Sequence, residues 1–251
     1  MSTNTPTRHR HRGAAVLVLA AGLVAGMVSA QAATYLETFD GPLDPNVWLL
    51  GTGGNDYDVV GGELVFRRLT GNVSHLRFVP QLIGDFDVGF EYRLIDWVGT
   101  YASGDRLQLD VSNPLPSPRA HAVGRAQEGL DGSNYHFGAV DSACCTFGAP
   151  VRNDAGALRI TRVDGAVSVW YHDGDSWQAL GQSAPDHRDM TLSLTSYVHN
   201  AFVPGTSYAI DNVSIWAAAF SQPVPEPAAG AMLLAGLATL GWMARRRRPA
   251  G

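Results

Sequence analysis

Lysine is absent from this chain of 251 residues, and all 18 basic side chains are arginine. That absence excludes lysine Schiff bases, lysine nucleophiles and a phosphate loop built on Gly-Lys. Cysteine is almost as scarce. The two residues present, Cys144 and Cys145, are adjacent, with no further Cys or His at ligand spacing, so neither a zinc cluster nor a Cys–His nucleophile is encoded. Beyond the N-terminal stretch there is no H-x-H or H-x-x-x-H pair, and no G-x-S-x-G elbow occurs anywhere. No segment of the middle holds a helical period. What remains is 45% hydrophobic, with 28 Gly and 14 Pro, an ordinary balance for a globular domain rich in turns.

Charge divides the chain into three. Residues 1–32 carry Arg8, Arg10 and Arg12 and no acid. Residues 33–223 hold 11 Arg against 22 acids, a net charge of −11. The tail is basic again through Arg245, Arg246, Arg247 and Arg248. An acidic middle without a basic stripe repels a phosphate backbone, so no nucleic-acid partner is expected.

Both ends read as addresses. After the basic start, Gly13 to Ala30 is an uninterrupted apolar run, and Ala30-Gln31-Ala32 supplies small residues for cleavage before Ala33. Val28-Ser29-Ala30 is a second cleavage option. This is the pattern of a secretory signal peptide over residues 1–32. At the other end, Val224-Pro225-Glu226-Pro227 precedes 17 apolar residues, Ala228 to Ala244, and then the four Arg. At 1.5 Å per residue this helix is roughly 25 Å long, barely a membrane span, and the Arg cluster fixes its cytoplasmic end.

The V-P-E-P tetrad, short apolar helix and basic terminus within 223–251 resemble the PEP-CTERM sorting signal. The resemblance implies a Gram-negative exported protein, held transiently in the inner membrane and processed by an exosortase. Its destination would be the cell surface or the extracellular, biofilm-forming polysaccharide matrix.

Between the ends, residues 33–222 alternate. Phe86, Val88, Phe90, Tyr92 and Leu94 share one face, and Asp87, Gly89, Glu91 and Arg93 the other. Leu107, Leu109 and Val111 alternate with Arg106, Gln108 and Asp110; Met190, Leu192 and Leu194 with Thr191, Ser193 and Thr195. Gly61-Gly62, Asp131-Gly132, Asp164-Gly165 and Asp173-Gly174 supply tight turns. The pattern predicts an all-β, two-sheet antiparallel sandwich. Five pieces appear in order: Thr38-Phe39-Asp40-Gly41 with Trp48; Gly61-Gly62-Glu63-Leu64; Gly84-Asp85-Phe86-Asp87-Val88 with Arg93-Leu94; Leu158-Arg159-Ile160-Thr161-Arg162 with Trp170-Tyr171 and Trp177; and Ile210-Asp211-Asn212-Val213. In that order they resemble a concanavalin A-like (LamG-like) jelly roll, a fold that hosts lectins, hydrolases and inert modules alike.

Three chemistries are weighed on this frame. Retaining glycoside hydrolysis needs two carboxyls about 5 Å apart. The E-x-D-x-(x)-E run of jelly-roll glucanases is missing, and Asp87 and Glu91 stand about 13 Å apart along a strand. A cross-strand Glu91–Asp110 pair stays open at this point. Sugar binding needs aromatic plates beside fixed polar groups. The outward-facing candidates are Asp87, Glu91, Arg93, Arg106, Asp110, His136 and Trp170, with Trp97 and Tyr101 as a rim. For Trp48, Trp170 and Trp177 the plainer reading is as plugs of the core or its edges.

No motif demands a cofactor. By resemblance, a structural Ca²⁺ tying the first strand to the last would use Glu37 and Asp211. Cys144 and Cys145, exported to an oxidising compartment, suit a vicinal or an intermolecular disulfide. The sequence therefore reads as a non-catalytic glycan-binding or adhesion module partnered by exopolysaccharide or a surface glycan. The alternatives are a matrix protein without a specific ligand and a divergent glycoside hydrolase.

Overall fold

The structure, a computed structural model, describes residues 32–51, 57–67, 73–97, 105–113, 118–127, 134–198, 205–222 and 224. The signal-peptide segment, Tyr101, the Asp131-Gly132 turn and the tail after Val224 lie outside the described residues. Among those residues every regular element is a β-strand, and all pairings are antiparallel.

β1 (Ala33–Glu37), β2 (Trp48–Leu50), β3 (Tyr57–Val60) and β4 (Glu63–Arg67) lead into β5 (Ser74–Asp96), which is 23 residues long. β6 (Asp105–Ser112), β7 (Ala120–Gln127), β8 (Asn134–Val140) and β9 (Ala143–Val151) form a meander. β10 (Ala155–Val163), β11 (Ala166–His172) and β12 (Trp177–Gln182) form a second. β13 (Met190–Val198) and β14 (Ser207–Phe220) close the chain.

The hydrogen-bonded network is continuous but folded into two layers, and β5 is the hinge strand. Its first part, to Leu82, pairs with β13 and β2. Its second part pairs with β10 on one side and β14 on the other. The first layer thus runs β12–β11–β10–β5–β14, with β4 and β1 beyond β14. The second runs β9–β8–β7–β6–β13–β5–β2. The strand redirects at Gly84, whose φ of +69° suits glycine, and the pairing with β14 slips register nearby.

The alternation seen in the sequence is what makes the layers face each other. Phe86, Val88, Phe90, Tyr92 and Leu94 of β5 are buried, as are Leu107, Leu109 and Val111 of β6 and Met190, Leu192 and Leu194 of β13. Each such side chain contributes about 1.5–3 kcal/mol on burial. Trp48 is buried too, in an aromatic group with Tyr35 and Phe78 at ring separations of 6.3 and 5.3 Å.

Three hairpins turn on two residues each with positive φ: Gly61-Gly62, Asp164-Gly165 and Asp141-Ser142. The first two carry turn residues legible in the sequence. In the third, Ser142 at φ 62° accepts the strain because its hydroxyl takes the Ala120 amide N–H at 3.1 Å.

Candidate functional site

Register sets the outward rows of the first layer. Gly89 of β5 pairs with Arg159 of β10 and Ser214 of β14, and Arg159 pairs in turn with Trp170 of β11. The neighbouring row holds Trp216, Asp87 and Thr161. Glu91 faces Ala157, which pairs with His172 and so leads to Trp177 of β12. A groove of about 920 Å³ lies over these rows.

Two of its tryptophans face solvent, Trp216 at 40% exposure and Trp177 at 38%. The third, Trp170, is half-buried and donates its indole N–H to the Thr161 hydroxyl at 3.0 Å. Gly89 leaves bare backbone on the groove floor: a Cβ there would stand 2.8 Å from the Leu158 carbonyl oxygen.

At the centre, the Arg159 guanidinium grips Asp87 with two N–H groups, Nε to Oδ1 at 2.7 Å and Nη2 to Oδ2. This hydrogen bonding pushes the Arg159 pKa further up. The same guanidinium lies 5.6 Å over the Trp177 ring. Glu91 is exposed and accepts one N–H from Asn212 at 3.0 Å. Asp85 accepts the Asp164 amide N–H at 3.1 Å. The groove therefore offers flat aromatic surface, an anchored polar fork and accessible carboxylate oxygen.

The outward set expected from the sequence is divided among three places. Asp87, Glu91, Arg93 and Trp170 share the outer face of the first layer, where Arg93 donates to Glu63 at 2.6 Å. Arg106 and Asp110 lie on the outer side of the second layer, alternating with Leu107, Leu109 and Val111, but neither is open to a ligand: Arg106 is 8% exposed and Asp110 is half-buried. Arg106 lies 4.9 Å over the Phe137 ring.

His136 is not outward at all. It is 1% exposed, stacked on Tyr171 at 4.2 Å, and joined through Nε2 to the Tyr92 hydroxyl at 2.7 Å. Burial drives its pKa down to about 3. Its strand partner Arg125 is equally buried, so β7 and β8 carry polar side chains inward at positions that a simple alternation assigns to hydrophobes. Trp97 is half-buried, packed against the core and hydrogen-bonded to Asn134 at 2.7 Å, rather than an open rim.

This division removes the Glu91–Asp110 pairing, because the two residues project from opposite outer sides of a sandwich whose sheets lie about 10 Å apart. Asp110 is partly buried, accepts from Gln108 at 2.9 Å, and is pushed up to about 6 by desolvation. A carboxyl raised in the folded state favours folding below its unfolded pKa and loses that contribution as pH rises toward 6. Asp110→Asn is expected to stabilise the protein at neutral pH by on the order of 2 kcal/mol. The gain should vanish near pH 4 by the same linkage, as read from urea unfolding at the two pH values.

Glu37 and Asp211, the pair expected to hold calcium, belong to no cluster of metal-ligating side chains among the described residues. The Glu37 carboxylate already accepts from the Tyr35 hydroxyl, from the Trp48 indole N–H at 3.1 Å and from the Phe39 amide at 3.0 Å. Asp211 accepts its neighbour's amide N–H at 2.7 Å. Both carboxylates are instead engaged by donors nearby in the chain. Cys145 is disulfide-bonded.

The sequence reading missed three groove residues: Arg159 as the partner of Asp87, Trp216 as a wall, and Trp177, which lines the groove 38% exposed instead of plugging the core. A signal existed for Trp216: Val213, Ile215 and Ala217 are the buried alternation of β14, which leaves Trp216 on the polar side.

The fold and groove define an all-β jelly-roll sandwich of the concanavalin A-like kind. Comparisons agree on that fold. The winged bean acidic lectin, solved with methyl-α-D-galactose, superposes with a TM-score of 0.58 at 11% identity, covering 76% of this chain and all of the lectin chain. LamAcat from Zobellia galactanivorans gives 0.52 at 13% identity, over 72% of this chain and 96% of its own. A pseudo β-1,3-glucanase of Mycobacterium tuberculosis gives 0.51 at 12%, over 73% and 98%. Lectins and glucanase-type proteins thus share this architecture. No curated protein matches the chain in sequence. Residues 223–248 match the PEP-CTERM protein-sorting motif, which marks an exported chain whose tail is an exosortase substrate. Of the motif's first residues, Val224 packs against the sandwich core; Pro225, Glu226 and Pro227 lie outside the described residues. Among the described residues no helix is long and apolar enough to cross a membrane.

Proposed function

We propose that the sandwich is a non-catalytic carbohydrate-binding module, displayed at the cell surface or in the extracellular matrix after export. The carrying observation is the co-location of Trp170, Trp177 and Trp216 with the Asp87–Arg159 fork on one outer sheet face. Indole faces take the apolar faces of sugar rings, and fixed polar groups take hydroxyls. The groove's acids support binding over hydrolysis. Two of the groove's three acids are engaged, Asp87 by Arg159 and Asp85 by the Asp164 amide N–H, and the open one, Glu91, stands four and six residues from them along the same strand, about 13 and 20 Å away, beyond the separation of either hydrolytic geometry.

The test is affinity electrophoresis of the full-length protein in detergent through gels containing neutral and charged polysaccharides. Retardation by at least one polysaccharide is expected. Trp216→Ala should weaken it by about tenfold or more, as for a stacked aromatic anchor, while moving the unfolding free energy by less than about 1 kcal/mol because the ring is already partly solvated. Absence of retardation in every gel favours a matrix protein without a ligand and overturns the proposal.

A further inference from the structure

The groove's charge and ring surfaces specify more than sugar in general. Three carboxylates line it, Asp85, Asp87 and Glu91, against two guanidinium groups, Arg159 and Arg162. Neither guanidinium is available to an anionic ligand. Arg159 has turned its fork onto Asp87. Arg162 is 1% exposed and spends its N–H groups on the carbonyl oxygens of Gly84, Asp186 and Arg188. Glu91 is the most open of the three acids and carries one hydrogen bond from Asn212. The surrounding sandwich adds a long-range field of the same sign, since residues 33–223 carry 11 Arg against 22 acids. A uronate or sulfated polymer entering here meets repulsion and finds no free fork to pair with its carboxylates.

A cationic sugar meets the opposite conditions. An ammonium group can bond to the Glu91 carboxylate, and exposed indole faces attract cations as well as sugar rings. The groove already shows that second preference internally, with Arg159 held 5.6 Å over Trp177. We infer that the groove selects polymers of amino sugars carrying free amines, such as partly de-N-acetylated hexosamine chains, over neutral and uronic acid polymers. The inference rests on the carbohydrate-binding reading above and names its ligand class.

The test uses beads of chitosan, chitin and alginate, which present free-amine, N-acetylated and uronate sugars, with full-length protein in detergent. Chitosan should retain the protein. Glu91→Gln should cut that retention by about tenfold, the scale of one charge-assisted contact. Trp216→Ala, which leaves every charge in place, should cut it as much. Unchanged retention in Trp216→Ala means bulk attraction between a polycation and an acidic surface, and overturns the inference. So does unchanged retention in Glu91→Gln, or binding to chitin or alginate as strong as to chitosan. If chitin or a neutral glucan binds best and Trp216→Ala abolishes it, the carbohydrate-binding reading stands and the amino-sugar selectivity alone falls. If nothing binds, both fall.

Discussion

Arg162→Ala is expected to lower the unfolding free energy by about 4 kcal/mol, among the largest effects of any single polar truncation in the chain. Arg162 occupies an inward position of β10, in line with buried Leu158 and Ile160. A guanidinium survives there because it has local acceptors. Nε and Nη2 donate to the Gly84 carbonyl, Nε at 2.7 Å, and Nη1 donates to the carbonyls of Arg188 at 2.5 Å and Asp186 at 3.4 Å. Its flat face lies 4.9 Å over the Phe86 ring. One side chain thereby ties the bend in β5 to β10 and to the connection between β12 and β13.

Truncation orphans up to three carbonyl oxygens, each costing about 1–3 kcal/mol when left dry, and water entering the gap returns part of that. Arg162→Lys should recover only a minority of the loss, since a single ammonium on a thinner stem cannot reproduce a planar fork. The comparison is Arg93→Ala, which breaks the exposed pair with Glu63 and should cost less than about 1 kcal/mol. Urea unfolding of the three variants reads the difference. Equal, small losses for Arg162→Ala and Arg93→Ala would show that the buried fork does not hold the bend.

The same residue shows what the sequence could and could not disclose. Alternation assigned the faces of β5, β6 and β13 because the side chains they turn between the layers, such as Phe86, Val88, Phe90, Leu107, Leu109, Leu192 and Leu194, are apolar, and a period of two leaves little ambiguity when one face is greasy. It placed Asp87 and Glu91 correctly on a shared outer face for the same reason. It failed wherever a polar side chain sits inside with its own partners. Arg162 follows Leu158 and Ile160 at the correct period but carries a charge. His136 and Arg125 interrupt the pattern of their strands outright. Their partners, the Tyr92 hydroxyl and the carbonyls of Val151 and Asn153, come from strands and turns 26 to 44 residues away. No local pattern contains that information.

The groove was half legible for a related reason. Its β5 residues follow from one strand's alternation. Bringing Trp216, Arg159 and Trp177 beside them needs the strand order β12–β11–β10–β5–β14, in which the last strand of the chain lies beside the fifth. Motif order suggested a jelly roll but did not specify which outward rows would align.

Gly124→Ala should be comparably damaging, through crowding rather than loss. Gly124 lies in β7, between Gln108 of β6 and Phe137 of β8. A Cβ at this position would come within 2.3 Å of the Leu107 carbonyl oxygen and 2.6 Å of the Phe137 ring. The first contact is with backbone, so no rotamer change relieves it. The second is with a ring already fixed from above by the Arg106 guanidinium at 4.9 Å. Either β6 and β7 separate, which weakens ladder hydrogen bonds, or Phe137 and Arg106 leave their places. Overpacking of this severity costs about 3 kcal/mol. Gly41→Ala is the control, because nothing lies within 4 Å of the Cβ it would add; a surface change of that kind stays within about 0.5 kcal/mol. Thermal unfolding separates these outcomes, and near-ultraviolet circular dichroism reports whether the aromatic packing around Phe137 has moved. A Gly124→Ala protein as stable as Gly41→Ala would mean that β6 and β7 sit further apart than their register requires. The bare backbone at Gly124 would then have no packing role in the second layer.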